Sequence, residues 1–156
     1  WIGIYATRFN GEFLRILLGD LAYGELITDP SKIPETDKPV IVVAGWKPGW
    51  STDYVAVVMA EAFGAKGIVN LTNIDYVYDK DPKQFSDAKK LEGISWAEYR
   101  QLIPEKWGPG LSTPFDPVAS KKAEELGLEV AILNGKNMDN VRNYFEGKAF
   151  IGTVIK

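Results

Sequence analysis

The chain begins with apolar residues that recur at steps of four over residues 2–18, which predicts one stripe of a helix. The stripe consists of Tyr5, Phe9, Phe13 and Leu17. Gly11 interrupts this segment at a cost of about 1 kcal/mol relative to alanine, so we expect a close backbone contact or a kink there. Three prolines and mixed charges over residues 29–39 then predict a solvated loop.

A continuous β-branched run, Val40 to Ala44, predicts a short strand that is buried on both faces of a parallel sheet. A loop rich in glycine and proline follows it. Ser51 and Thr52 are good N-caps for a helix from Asp53 to about Phe63. Residues 67–71 predict the next strand, so that strand, loop, helix and strand form one right-handed βαβ unit.

The second half of the chain continues this alternation. A long polar excursion over residues 72–87 leaves the strand at 67–71. Local capping signals then predict helices that start at Ser95 with Glu98, at Asp116 with Pro117, and near Met138. The first of these helices runs through Ile103, the second ends at Gly127 and the third ends at Glu146; further strands are expected over Leu128 to Leu133 and near Gly152 to Ile155.

Strands that alternate with helices predict an α/β fold with a largely parallel sheet. In such sheets ligands bind beyond the carboxyl ends of the strands. These ends are the loops 45–52, 72–82 and 134–137, which are therefore the segments where a functional site is expected.

Composition narrows the possible chemistry of this 156-residue chain. It has no cysteine and no histidine, which excludes disulfides, thiolate nucleophiles, Ser-His-Asp triads and the usual zinc ligands. Eighteen basic and 21 acidic residues give a net charge of −3, and this balance offers no basic face for nucleic acid or an anionic membrane. Carboxylates, lysines and backbone N–H groups remain, and they suit phosphoryl transfer, which depends on positioning and charge neutralisation.

The loop 45–52 leads into a helix N-terminus, where free N–H groups and the helix dipole favour an anion such as phosphate. Lys47 adds a positive charge. The alternative is a tight turn in which Ser51 or Thr52 is simply a structural cap. Asp53 has the same two interpretations, because a carboxylate in the first helical turn either complements the dipole or holds Mg²⁺ and a lysine beside transferring phosphates.

Residues 71–83 crowd polar side chains, two tyrosines and three acids at the end of a strand. A tyrosine ring there can stack on a base and a carboxylate can accept from ribose hydroxyls, whereas the alternative is a surface loop with Asx turns around Asp75 and Asp81. The loop tryptophans also have two interpretations, since they either line a pocket or cover an edge of the core. They are Trp46, Trp50 and Trp107.

Four motifs carry a resemblance to a known family. They are P-G-W-S-T-D at 48–53, T-N-I-D-Y-V-Y-D-K-D-P-K at 72–83, D-P-V-A-S-K-K-A-E-E-L-G at 116–127 and G-T-V-I at 152–155. Together they resemble the amino acid kinase superfamily, and within it the uridylate kinases of the archaeal type. The resemblance covers essentially the whole chain and implies a three-layer αβα sandwich of the carbamate kinase-like type with a largely parallel sheet.

The resemblance also implies roles for individual residues. The residues that would contact ATP are Thr72, Asn73, Tyr78 and Asp81, and those that would contact UMP are Trp46, Lys47, Pro48, Gly49, Trp50, Ser51 and Thr52. Asp53 matches the acidic residue associated with transfer, where it would act in catalysis and orient Mg²⁺. The first helix, with Ala6-Thr7-Arg8, resembles the acceptor-side helix of the family.

The sequence departs from the family pattern in three ways. Trp46 and Trp50 stand where the family has a small hydroxyl residue and a histidine, and Tyr76 replaces a glycine. The Lys-x-Gly-Gly segment and the triple-glycine loop of the family's N-terminal half do not occur. We therefore expect residues 1–156 to be the C-terminal part of one kinase domain, with 1–39 as the acceptor-side helix and loop and 40–156 as the ATP-binding part. On that expectation the 156 residues alone do not turn over UMP.

The function implied by the resemblance is transfer of the ATP γ-phosphoryl group to UMP, giving UDP, with Mg²⁺, in pyrimidine nucleotide biosynthesis. One alternative is a non-catalytic protein of the molybdate or tungstate storage type that holds ATP and oxyanions on the same fold. Another is a sister kinase with a different acceptor. The expected ligands are UMP and ATP, with no nucleic acid or membrane partner. A cytoplasmic homo-oligomer, by resemblance a hexamer, is expected.

Overall fold

A computed structural model describes residues 1–106, 108, 110–111 and 113–156, which excludes the predicted loop residue Trp107. The chain forms two units, residues 1–63 and 64–156. No helix in the described part of the chain is long and apolar enough to cross a membrane.

The first unit contains helices α1 (Ile2–Leu18) and α2 (Thr52–Phe63), with a short 3₁₀ turn at Gly19–Leu21. The helix predicted over residues 2–18 is confirmed, and it ends at Gly19, whose φ of 53° lies in the left-handed region that favours glycine. The expected close contact at Gly11 is present as well. This glycine is the one buried residue of α1, and a Cβ there would lie 2.7 Å from Leu26 Cδ1.

The aromatic stripe of α1 is not part of a core. Tyr5, Phe9, Phe13 and Leu17 are between 60% and 75% exposed. The helix instead faces its own unit through the side that carries Gly11. Periodicity alone predicts the helix but not what covers its apolar face.

The strand predicted at 40–44 does not form as a continuous element. Its residues make two isolated parallel bridges, Ala22 with Val40 and Ile27 with Val43. The burial expected for this run is present at Val42, which is 6% exposed. The run is therefore apolar and internal, but it is paired at separate points rather than along a ladder.

The second unit is built on a four-stranded sheet and three helices. Its strands are β1 (Gly67–Thr72), β4 (Gly93–Ile94), β5 (Glu129–Asn134) and β6 (Thr153–Ile155), and a separate ribbon pairs β2 (Val77–Tyr78) with β3 (Lys90–Leu91). The helices are α3 (Trp96–Leu102), α4 (Pro117–Glu125) and α5 (Met138–Phe145). All three predicted helices are confirmed to within two residues at each end.

The order of the strands in the sheet is β1-β5-β6-β4. β1 and β5 are parallel from Gly67 opposite Glu129 to Thr72 opposite Asn134, and β4 and β6 are also parallel. β5 and β6 run antiparallel, so the sheet is mostly parallel, which confirms the predicted α/β class. The four residues Val130 to Leu133 have no exposed surface, because β5 lies between β1 and β6 and packs against α5.

The helices of this unit begin where their capping residues predict. Ser95 and Glu98 form a complete capping box, and the Ser95 hydroxyl and backbone N–H lower the pKa of the Glu98 carboxyl. Asp116 accepts hydrogen bonds from the N–H groups of Val118 and Ala119 at 2.8 and 3.0 Å. These signals are local, and this is why the sequence predicts them well.

Gly152 provides a test of the packing in this unit. A Cβ at this position would lie 2.9 Å from the Ile132 carbonyl oxygen, a backbone atom that cannot turn away. We expect Gly152→Ala to lower the free energy of unfolding by about 1–3 kcal/mol, the usual cost of overpacking. Urea unfolding measures it, with Gly93→Ala as the control, since a Cβ at Gly93 meets nothing within 4 Å. Equal stability of the two variants would contradict the packing described.

Candidate functional site

The loop 45–52 lies in the first unit and ends at the N-terminus of α2. Gly45 is buried, residues 47–49 are exposed, and Gly49 has a φ of 95°. The Ser51 hydroxyl accepts the N–H of Tyr54 at 3.0 Å, so Ser51 caps the N-terminus of α2. Asp53 is half-buried in the first turn of α2, where its carboxylate also complements the helix dipole.

An aromatic stack covers one side of this loop. The Trp46 and Trp50 rings have centroids 5.9 Å apart, and Trp50 stacks on Tyr54 at 4.2 Å. The ammonium of Lys47 lies 4.0 Å from the centroid of the Trp46 ring, a cation–π contact. Tyr54 was not among the predicted site residues, although the spacing of four between Trp46, Trp50 and Tyr54 is a signal that could have found it.

In the second unit the two predicted loops at the carboxyl ends of β1 and β5 meet. The Gly135 N–H donates to the Thr72 carbonyl at 2.9 Å, and the Asn134 amide donates to the Asp75 carboxylate at 2.8 Å. The half-buried Thr72 hydroxyl accepts the N–H of Ile74 at 3.2 Å, while Asn73 is exposed. The parallel pairing of β1 and β5 brings these side chains to one edge of the sheet.

A cleft of about 520 Å³ lies beside the β2–β3 ribbon. Predicted residues Tyr78 and Asp81 line it, but within the described chain Thr72 and Asn73 do not. The lining also includes Ile103, Pro104, Leu111 and Thr113, none of which was predicted from the sequence as a site residue. The cleft is large enough for a drug-sized ligand.

Some polar side chains of residues 71–83 form hydrogen bonds within that segment. The Asp81 carboxylate accepts the N–H of Lys83 at 2.9 Å, an Asx turn that agrees with the surface-loop interpretation at this position. Asp75 is bonded to Asn134 instead. The ammonium of Lys90 lies 4.8 Å from the centroid of the Tyr76 ring, and its hydrogen bond to the Glu92 carboxylate raises the pKa of Lys90.

Two buried hydroxyl groups fix the walls of the cleft. Thr153 accepts the N–H of Val77 at 2.8 Å and donates to the Leu91 carbonyl, so it joins both strands of the ribbon to β6. The Tyr99 hydroxyl donates to the Phe115 carbonyl at 2.9 Å and accepts the Phe115 N–H at 2.8 Å. Because both partners are distant in sequence, no local pattern predicts these contacts.

No group of three or more acidic residues in the described chain is arranged to hold a metal ion. Magnesium does not require one, because it is usually bound by one or two carboxylates together with substrate phosphates. Asp53 carries a half-buried carboxylate, whose oxygens are of the hard type that Mg²⁺ binds. The residues present are therefore compatible with Mg²⁺ carried by a nucleotide.

A model of the amino acid kinase family matches residues 20–134. The chain belongs to this family. The chain is therefore a kinase-type phosphotransferase, and the match confirms the family resemblance of its four motifs.

Uridylate kinases of archaea are among the relatives of this amino acid kinase family member. The uridylate kinase of Methanospirillum hungatei is 34% identical over 158 residues, which cover 99% of this chain and 66% of the relative. That of Methanobrevibacter smithii is 34% identical and is covered over 69% of its length. The chain thus spans about two thirds of the length of these relatives.

The fold agrees with a solved relative. The crystal structure of uridylate kinase from Archaeoglobus fulgidus matches with a TM-score of 0.80 and 31% identity, over 99% of this chain and 70% of that one. The relatives named here are kinases and give no support to the alternative of an oxyanion storage protein.

Proposed function

We propose that this amino acid kinase family member takes part in the transfer of the ATP γ-phosphoryl group to UMP, which yields UDP. The observation that carries this proposal is similarity to archaeal uridylate kinases over 99% of the chain. Such a transfer depends mainly on positioning and electrostatic stabilisation and needs no histidine or cysteine, neither of which the chain contains.

The second unit would bind ATP. The Tyr78 ring lines the cleft and is half-buried, so it offers an aromatic face for the base. The Asp81 carboxylate lines the same cleft and can accept from ribose hydroxyls. Thr72 and Asn73 would act at the neighbouring edge of the sheet, where the carboxyl end of β1 lies.

The loop 45–52 of the first unit would bind UMP. Lys47, with its ammonium held over the Trp46 ring, would contact the acceptor phosphate, and Trp50 would form a wall of that site. Pro48, Gly49, Ser51 and Thr52 would complete the contacts. Asp53 would act in catalysis by orienting Mg²⁺, whose charge neutralises the transferring phosphates when it is bound.

The exposed apolar face of α1 supports the proposal of a homo-oligomer. Contiguous exposed apolar side chains of this kind mark interaction surfaces, and the family resemblance implies a hexamer built from dimers. We expect Phe9→Glu to reduce the oligomer mass measured by light scattering, because a charge there would be buried on association. The control Glu35→Gln, at an exposed residue of the proline-rich loop, should leave the mass unchanged. Equal masses for both variants would contradict an interface on this face.

An acceptor panel tests the proposed function. The longest natural polypeptide that contains this chain is assayed with ATP, Mg²⁺ and, in turn, UMP, CMP and small carboxylic acids, and the release of ADP is followed. UMP should give the highest kcat/KM of the panel. Turnover of another acceptor with none of UMP would refute the proposal and assign the chain to a sister kinase.

A further inference from the structure

Two polar side chains of α1 hold the start of the loop 45–52. Arg8 donates from Nε to the Gly45 carbonyl at 3.1 Å and from Nη2 to the Trp46 carbonyl at 2.7 Å. The Thr7 hydroxyl accepts the Gly45 N–H at 3.0 Å and donates to the Ile4 carbonyl at 2.8 Å. Three backbone groups at residues 45 and 46 are therefore fixed by two successive residues of one helix.

The approach of α1 to this loop is close. A Cβ on Gly45 would lie 2.7 Å from the Thr7 hydroxyl and 3.5 Å from the Ile4 Cα atom. Only a glycine allows the backbone to reach Thr7 and Arg8 at these distances. Gly45 is buried and both side chains are half-buried, so the contact is partly shielded from water.

Arg8 and Arg15 lie on the same helix but differ in the groups that their guanidinium N–H groups contact. Arg15 pairs with Glu12 one turn earlier at 2.7 Å, whereas the ion pairs of the described residues do not include Arg8. The two N–H groups of Arg8 point to successive main-chain carbonyls, a fork geometry that lysine cannot reproduce. The side-chain hydrogen bonds of Arg8 are thus with the loop, and its guanidinium also lies 5.6 Å from the centroid of the Tyr5 ring.

We propose that Arg8 and its neighbour Thr7 are positioning residues for acceptor binding. By fixing the carbonyls of Gly45 and Trp46, Arg8 sets the place from which the Trp46–Trp50 stack and Lys47 reach the acceptor. This inference rests on the proposed role of the loop 45–52 in binding UMP. Arg8 acts through the loop and does not itself contact the acceptor.

The loop needs such an anchor because its middle is exposed. Residues 47–49 are exposed, and Gly49, whose φ is positive here, has more conformational freedom in the free chain than any residue with a side chain. Binding of the acceptor would have to order residues 47–49. An anchor that holds the loop before binding reduces the loss of conformational entropy on binding. A displacement of about 1 Å at a reacting centre can cost roughly 100-fold in rate, so an anchor outside the site still affects binding and turnover.

The test is Arg8→Lys in the longest natural polypeptide that contains this chain, a change that keeps the charge and removes the fork. We expect the KM for UMP to rise roughly tenfold or more, as for the loss of a charge-assisted hydrogen bond, while the KM for ATP stays unchanged. The matched control is Arg15→Lys, which should leave both KM values and the thermal midpoint unchanged. A merely structural role for Arg8 would lower the thermal midpoint and leave the ratio of the two KM values unchanged, and that result would overturn the proposal.

A second pair of variants decides the question if Arg8→Lys does not fold. Thr7→Ser keeps the hydroxyl that accepts the Gly45 N–H, whereas Thr7→Val removes it at nearly equal volume. We expect the KM for UMP to rise in Thr7→Val and to return close to the original value in Thr7→Ser. Equal KM values for UMP in these two variants would overturn the proposal.

Failure of the proposed function is distinguishable from failure of this inference. If the unmodified protein does not use UMP, hydrogen exchange at the Gly45 amide and the near-ultraviolet circular dichroism of the Trp46–Trp50–Tyr54 stack still report on the loop. Arg8→Lys should speed Gly45 exchange and weaken the aromatic dichroism, and Arg15→Lys should change neither. Unchanged exchange and dichroism in Arg8→Lys would show that Arg8 does not position the loop.

Discussion

Asp53→Asn should lower kcat for UDP formation by about 100- to 1,000-fold, the usual effect of removing one preorganised electrostatic group from a transition state. The substitution preserves the size of the side chain and its place in the first turn of α2. It removes the charge that would orient Mg²⁺ beside the phosphates. The KM for ATP should change far less than kcat, because the lost interaction acts mainly in the transition state.

The matched control for this prediction is Asp37→Asn, an exposed aspartate in the proline-rich loop of the same unit. It should leave kcat unchanged. Thermal unfolding of both variants separates catalysis from stability, since the loss of a dipole-complementing charge costs only about 0.3–1 kcal/mol. If Asp53→Asn retained kcat within twofold, Asp53 would serve only the helix dipole, and its catalytic role would be wrong.

Tyr78→Ala should raise the KM for ATP by about 5- to 150-fold, the range that corresponds to the loss of one base-stacking contact. The Tyr78 ring is half-buried and lines the cleft beside the β2–β3 ribbon. The KM for UMP should remain unchanged, because the loop proposed to bind UMP belongs to the other unit. Initial rates at varied ATP, with UMP at saturation, measure the effect.

Tyr78→Phe is the matched variant, since it keeps the aromatic ring and removes the hydroxyl. Its KM for ATP should stay close to that of the unmodified protein. Equal increases in the two variants would assign the effect to the hydroxyl rather than to stacking. An unchanged KM in Tyr78→Ala would show that the ring does not contact the base.

The local features of the fold could be predicted because each is encoded within a few residues. Ser95 with Glu98 and Asp116 with Pro117 mark the starts of α3 and α4, where both helices begin. Residues 40–44 show where this fails. A β-branched run predicts a continuous strand, but a strand forms a continuous ladder only when a partner segment pairs with it along its length. Here the partner residues Ala22 and Ile27 pair with the run only at isolated bridges.

The candidate site was predictable to a similar extent. The strand ends located the segments that carry Thr72 and Asn134, and parallel pairing brings those loops together. The wall of the cleft at Thr113 and the hydroxyl of Tyr99 that fixes Phe115 depend on contacts between residues far apart in sequence. Such contacts have no period or capping signal, so they emerge only from the folded chain.

Transfer of a labelled γ-phosphoryl group from ATP to UMP tests the central claim most directly. The longest natural polypeptide that contains this chain is incubated with γ-³²P-labelled ATP, Mg²⁺ and UMP, and the products are separated by chromatography. The proposed function predicts that the label appears in UDP in equal amount to the ADP formed, and that Asp53→Asn removes nearly all of it. Label released as inorganic phosphate, or transferred to another acceptor but not to UMP, would contradict that function.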